Sequence, residues 1–377
     1  MNKVMATSIA LIALAACGRD NGVTGLTADR VVALNVVSAT VSADAPGAVY
    51  ALTNQAGANA VAMYARAADG GLTWIGSVAT GGNGAGSGLG SQGALALSDD
   101  ARWLFAVNAG SNDVSAFRVT ARGLSLTSQI ASGGLRPISL TVHGDILYVL
   151  NAGGDGNISG FHIDNAGSLT AIAGSTRPLS GAAAGPAEVS FSPDGRLVIV
   201  SEKATSRLDV YAVGVDGVAS APITTASAGG TPFGFAFGHR DELFVSEAAG
   251  SASSYVIAGN GTLTAASGAV LTHQGAPCWA VVTKNGKFGY TANAQGGSIS
   301  GFAVANDGSI SLIDPDGRTA VVGGGNIDLA LSGNSRYLYQ LTGSRSISGF
   351  RIEADGHLTA VGNVAGLPAS TVGLVAR

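Results

Sequence analysis

Residues 298–312 read Ser-Ile-Ser-Gly-Phe-Ala-Val-Ala-Asn-Asp-Gly-Ser-Ile-Ser-Leu: two short runs of alternating apolar and small polar residues joined by Asn306-Asp307-Gly308. The alternation gives each run one face to bury, and the Asn-Asp-Gly corner suits a hairpin turn. The unit recurs, closely at Ile158-Ser159-Gly160-Phe161 and Ile347-Ser348-Gly349-Phe350, and more loosely elsewhere. Its aromatic position falls at Tyr64, Phe117, Phe161, Tyr211, Tyr255, Phe302 and Phe350, with gaps of 53, 44, 50, 44, 47 and 48 residues. Seven copies at that spacing predict an all-β fold, a seven-bladed β-propeller of four-stranded antiparallel blades.

The first copy, over 48–78, supplies only three strands. The segment Thr371-Val372-Gly373-Leu374-Val375 has none of the outer strands it would need for a blade of its own. The pattern therefore predicts that this last strand completes blade 1 and closes the ring, removing the exposed edges of an open array. Blades 2 to 7 are expected to start near Leu95, Leu140, Val189, Phe235, Ala280 and Leu329. The loop 81–93 carries several Gly-x-Gly patterns but no following helix, so it reads as a link between blades 1 and 2 rather than a phosphate cradle.

Composition agrees with this architecture. In 377 residues there are 57 Gly and only 12% charged residues, which disfavours long helices, and 46% hydrophobic residues, which disfavours disorder. A formal charge of -4 without a basic run gives no footprint for nucleic acid. Lys3 precedes an apolar run too short to span a bilayer comfortably, so residues 1–17 read as an export signal. Leu14-Ala15-Ala16-Cys17 resembles the bacterial lipoprotein box, which implies lipidation at Cys17, a tether over 18–46, a propeller over 47–377, and a monomer anchored in the cell envelope. Cys278 is the other cysteine, so a mature chain has no intrachain disulfide, and its place beside Trp279 in an apolar strand marks it as core.

Candidate chemistry comes from two registers of the repeat. One position after each blade's second strand reads Asn54, Asn108, Asn151, Glu202, Glu247, Asn293 and Thr342. Asn there is a natural strand-end cap, whereas Glu is not, so Glu202 and Glu247 stand out. An innermost-strand position reads Ala94, Ser139, Glu188, Gly234, Trp279, Asp328 and Thr371, adding two more acids. The registers place all of them at one mouth of the channel. Glu202 and Glu247 are then candidates for a general acid and base. With Glu188 they are also candidate ligands of a divalent cation, Ca²⁺ or Mn²⁺. A third reading pairs the acids with Lys203 and Arg136. Asn108, Asn151, Asn293, Glu188, Lys203, Arg136 and Asp328 are candidate substrate-binding residues.

The repeated Ser-Ile-Ser-Gly-Phe with Asp-Gly-x-Leu-Thr, Phe191-Ser192-Pro193-Asp194-Gly195-Arg196, and Phe244-Val245-Ser246-Glu247 resemble the lactonase-type seven-bladed propellers. That family includes bacterial propeller 6-phosphogluconolactonases and fungal carboxymuconate cyclases. The resemblance spans about residues 48–377 and implies a hydrolase of a small lactone. Where the family carries a His, and then an Arg-His pair, this chain reads Pro186-Ala187-Glu188 and Pro232-Phe233-Gly234. Glu247 matches an acidic position of the family. An acidic mouth would favour a neutral lactone, and the alternative to an enzyme is a non-catalytic envelope propeller that binds a ligand or protein.

Overall fold

Every innermost strand of the molecule touches the innermost strand of the next blade, and the last touches the first, so the sheets form a closed ring of seven. The computed structural model describes residues 46–377 apart from 240, 241 and 324. The export signal, Cys17 and the tether up to residue 45 lie outside the described residues. In order from blade 2, the inner strands are Leu95–Leu97, Pro137–His143, Pro186–Phe191, Pro232–Phe237, Pro277–Val282 and Asn326–Leu331. Blade 1 takes Val372–Ala376 as its inner strand, paired antiparallel with Gly47–Leu52, as the three-strand first copy requires. Arg377 extends the seam, exchanging backbone bonds with Ala48 and accepting a bond from the Arg66 guanidinium at 3.2 Å.

The seven aromatic positions all lie on third strands and are all buried, Phe350 being the most exposed at 5%. They set the radial depth of each sheet. The hairpins between first and second strands also repeat a mechanism: the hydroxyls of Ser98, Ser192, Thr283 and Ser332 each accept the N–H five residues on, at 3.0–3.1 Å. Blades 3 and 6 depart from the regular pattern. Their outer strands are interrupted, as Leu169–Ala171 with Arg177–Pro178 and as Ile310–Leu312 with Ala320–Val321.

The residue that ends each second strand has a structural task. In blade 2, Asn108 Nδ2 donates to Ser115 Oγ at 2.8 Å on the neighbouring third strand, and Ser115 Oγ donates to Thr80 O at 2.8 Å in the crossover arriving from blade 1. Asn293 and Ser300 repeat the pair at 2.9 Å in blade 6, and Asn151 Nδ2 reaches Ser132 O at 3.1 Å in the next crossover. In blades 2 and 3 these bonds fasten the incoming crossover to the blade it enters, whereas in blade 6 Ser300 passes the bond to Gly317 O between the two halves of that blade's own outer strand. In blade 1 the equivalent residue is Thr53, whose N–H bonds Ala60 O at 2.8 Å, and not Asn54, which lies one residue further on with φ 50°. Thr53 and the smaller Ala62 leave space there, a cleft of about 580 Å³ bordered by Trp74.

Blades 4 and 5 use carboxylates for the same task. Glu247 Oε1 accepts from Gly229 N at 2.7 Å and Ser253 Oγ at 2.6 Å, and Oε2 accepts from Ser251 Oγ at 2.6 Å. Glu202 accepts from Ser180 N at 2.9 Å and from the Ser180 and Thr205 hydroxyls. The place of Ser253 is taken in blade 4 by Asp209, whose Oδ1 accepts from Thr224 Oγ1 at 2.7 Å while its buried Oδ2 meets no donor. Glu202 offers only acceptors, so a proton on Asp209 resolves the conflict. Burial, and then the adjacent Glu202, push the Asp209 carboxyl well above its ordinary range.

Two stability measurements follow. Leu374, 4% exposed in the closing strand, fills the blade 1–blade 7 seam, and Leu374→Ala should cost about 2–4 kcal/mol by denaturant unfolding. For Asp209 the folded pKa lies above the unfolded one, so its contribution is fully present below the unfolded value, about pH 4, and is lost as pH rises through the folded value. The protein should be more stable at about pH 5 than at about pH 8, and Asp209→Asn should narrow that difference without closing it, because Glu188 and Asp328 are shifted the same way. An unchanged difference in the variant would assign the pH dependence elsewhere.

Candidate functional site

The innermost-strand register does line the channel, but its polar side chains bind neighbouring blades rather than facing open solvent. Ser139 Oγ accepts from Val189 N at 3.1 Å, Glu188 Oε2 from Phe235 N at 2.6 Å, and Asp328 Oδ2 from Leu374 N at 3.0 Å. Each side chain joins its blade to the inner strand of the next. Both acids are buried, and burial raises both pKa values well above the carboxylate range, with Asp328 adding to the shift of Glu188. At Gly234 the register has no side chain to offer. Gln92, from the loop 81–93, fills that place: its Oε1 accepts from Ala280 N and its Nε2 donates to Ala280 O, both at 2.8 Å. Blades 2 and 6 are not neighbours in the ring, so Gln92 reaches across the channel axis.

The loop read as a simple link is therefore a strap over the mouth. Its first part is held at blade 1, where Asn54 Nδ2 donates to Ser87 O at 2.7 Å and Asn54 Oδ1 accepts from Ala85 N at 2.8 Å. Leu89, within the strap, is buried. Ser91 Oγ donates to Ile138 O at 2.8 Å, Gln92 N to Ala187 O at 3.1 Å, and Trp279 Nε1 to Ser91 O at 2.9 Å. Lys203 Nζ donates to Gly90 O and, at 2.9 Å, to Pro186 O.

Lys203 and Arg136 bring two cations to this mouth. Lys203 Nζ lies 4.9 Å from the centroid of the Phe233 ring. Burial lowers its pKa to about 8; the nearby Cys278 acts in the opposite direction and the Arg136 guanidinium in the same one. Arg136 is exposed on the adjacent blade, at φ 53°, its N–H donating to Asn112 Oδ1 at 2.7 Å. Among the described residues neither cation forms an ion pair with a carboxylate. Two like charges held close without a counter-ion attract an anion. The expectation of an acidic mouth that repels anions is thus corrected: Glu202 and Glu247 are buried in the crossover bonds, and Glu188 and Asp328 have raised pKa values.

The structure does not gather the remaining candidates. Glu202 and Glu247 are engaged by hydroxyls and backbone N–H groups in separate blades, and neither pairs with Arg136 or Lys203. Asn108 and Asn151 belong to the crossover bonds, and Asn293 bonds Ser298 and Ser300 within its own blade. Among the described residues no three His, Cys, Asp or Glu side chains lie close enough to hold a metal ion, so Glu188, Glu202 and Glu247 do not form a cation site. Cys278 is buried, and burial pushes its thiol up to about 12. Gln92, Phe233 and Trp279 were not singled out as candidates by sequence reasoning; the available signal was Gly234, which with Gly373, the blade 1 member of the register in place of the expected Thr371, is an inner position without a side chain. A further cleft of about 620 Å³ lies between blades 6 and 7, lined by their first hairpins and away from the mouth.

Comparison with known proteins places this geometry in context. The profile of the family described as lactonase, 7-bladed beta-propeller, matches residues 49–177. A periplasmic gluconolactonase from Pseudomonas aeruginosa superposes with a TM-score of 0.71 at 18% identity, over 88% of this chain and 99% of that one. A Bacteroides fragilis protein proposed to be a 6-phosphogluconolactonase gives 0.69 at 17% identity, over 89% and 98%. A Lactobacillus plantarum protein gives 0.73 at 18%, over 88% and 99%. No curated protein sequence matches. At these identities the superpositions establish the shared fold, and with the profile match they make this chain a seven-bladed propeller that resembles the lactonase family.

Proposed function

We propose that this chain is a lactonase-type hydrolase of a small lactone carrying an anionic group, and that its site is the strapped mouth around Lys203 and Arg136. The observation that carries the reading is the pair of neighbouring cations with no carboxylate partner, one of them desolvated over Phe233. Arg136, exposed and free to fork onto two oxygens, suits a carboxylate or phosphate on the substrate. Lys203 suits the carbonyl oxygen, which turns negative as water adds and the ring C–O bond breaks to give the hydroxy acid. A cation in a site that excludes water supports that charge far better than one in bulk solvent. The family profile and the gluconolactonase-like neighbours agree in kind with this chemistry.

One observation favours the alternative, a propeller that binds the hydroxy acid or a related anion without turnover. Glu202 and Glu247 are tied into the crossovers, and Glu188 and Asp328 have raised pKa values, so none of these four carboxylates is poised as a base. The export signal and Cys17 lipidation complete the proposal, setting the body in the cell envelope, the compartment for which the Pseudomonas aeruginosa neighbour is named.

A panel of neutral, carboxylated and phosphorylated lactones separates the two readings. Arg136→Gln should lower kcat/KM by about tenfold on anionic lactones and leave neutral ones unchanged. Lys203→Met should lower it about a hundredfold on both classes. The wild-type kcat/KM should fall as pH rises through about 8, where Lys203 loses its proton, and the Lys203→Met profile should lack that limb. If no lactone is turned over while the corresponding hydroxy acids bind and Arg136→Gln weakens them, the binding reading replaces the enzyme. For the anchor, Cys17→Ala should abolish incorporation of labelled palmitate in cells; retained label would remove Cys17 as the lipidated residue.

A further inference from the structure

Three hydrogen-bond donors on blades 4 and 6 converge on three consecutive residues of the strap. Lys203 Nζ donates to Gly90 O, Trp279 Nε1 to Ser91 O at 2.9 Å, and Ala280 N to Gln92 Oε1 at 2.8 Å. The donors form one patch, because Lys203 lies over Phe233 and Phe233 meets Trp279 edge-on, with centroids 5.2 Å apart at 62°. Every acceptor is the oxygen of a C=O group, the atom type that a lactone or a carboxylate presents. An ammonium, an indole N–H and a main-chain N–H aimed at carbonyl oxygens in a buried setting are the components of an oxyanion-binding site.

The segment that fills this patch is held mainly by hydrogen bonds, including those that Ser91 Oγ, Gln92 N and Gln92 Nε2 donate to Ile138 O, Ala187 O and Ala280 O, and little by apolar packing. Gly84, Gly86, Gly88, Gly90 and Gly93 alternate with small residues, and Gly86, Ser87, Gly88 and Gly90 are exposed. Leu89 is the single large apolar side chain in the strap. A ligand that brings its own oxygens replaces the acceptors of these three donors, while the Ile138, Ala187 and Ala280 carbonyls, released by Ser91 Oγ, Gln92 N and Gln92 Nε2, take hydrogen bonds from ligand hydroxyls or water. Gln92 has no bond to Lys203 or Trp279; its two side-chain bonds both go to Ala280.

We propose that Lys203 Nζ, Trp279 Nε1 and the Ala280 amide form the oxygen-binding part of the site, and that Gly90-Ser91-Gln92 occupies it as an internal stand-in for the ligand, displaced when a carboxylate or lactone carbonyl binds. This rests on reading the mouth as the ligand site. The strap then sets apparent affinity, because a ligand binds only the fraction of molecules in which it is lifted. Gln92 governs that fraction without touching the ligand.

The test uses D-gluconate as the probe, with hydrogen exchange of residues 84–93 and calorimetry as readouts. Saturating gluconate should speed exchange of the Gly90-Ser91-Gln92 amides in the wild type and leave the inner strands protected. Gln92→Ala should bind gluconate about three- to tenfold more tightly, because its strap is already loosened, and Trp279→Phe should bind it more weakly. Thermal unfolding of each variant checks that the ring is intact. Bound gluconate with unchanged exchange in the strap, or a Gln92→Ala affinity equal to or below wild type, overturns the stand-in. These outcomes are independent of turnover: lactone hydrolysis with an unresponsive strap leaves the proposed function standing and removes only this inference, whereas a responsive strap without hydrolysis keeps the inference and removes the enzyme.

Discussion

The antiparallel pairing of Val372–Ala376 with Gly47–Leu52 is the constraint on which the molecule rests. A row of blades contacts only its neighbours and ends in two bare sheet edges. Joining residues from opposite ends of the chain in one sheet turns that row into a ring. Only in a ring do seven inner strands share a channel, and only there can a side chain from blade 2 meet the backbone of blade 6. The seam is fixed by more than strand pairing: Arg66 is nearly buried, its guanidinium bonds Arg377 O, and it stacks over Tyr337 of blade 7 at 5.8 Å.

The fold was legible because its determinants are local and repeated. Alternation, an aromatic on each third strand and a Ser/Thr-x-Asp/Asn hairpin recur often enough that seven weak signals reinforce one another. The seam was legible by subtraction, since the first copy lacked a strand and the last segment lacked a blade. The site was less so, because register gives a residue's place along a strand but not the bonds its side chain makes. Glu202 and Glu247 sit at the expected height, yet they turn toward the crossovers arriving from the preceding blades. Blade 1 also slipped by one: its short strand end makes Thr53, not Asn54, the counterpart of Asn108. In the strap, low complexity hid the information. Among so many glycines, nothing in composition marks Gln92 as the residue that crosses the channel.

The electrostatic character of the mouth shows how little net charge says about a particular surface. Acids outnumber cations in the whole chain, yet at this opening Glu188, Glu202, Glu247 and Asp328 are buried under hydrogen bonds while Arg136 and Lys203 remain. What a ligand meets is set by which charges lack partners. In blade 4 the same principle works inward, where Asp209 replaces a serine and must keep a proton to sit beside Glu202.

Gly234 and Gln92 are, physically, a single position divided between two distant parts of the chain. A Cβ built on Gly234 would lie 2.1 Å from Gln92 Oε1 and 2.7 Å from Cys278 O, so Gly234 is not free to gain a side chain while Gln92 stays in place. Among relatives of this protein, any that carry a side chain at the first position should have shortened or redirected the second, and their channels would stand open where this one is spanned. Drift at one site would thus be matched by drift at the other, leaving a paired trace across an otherwise interchangeable run of glycines.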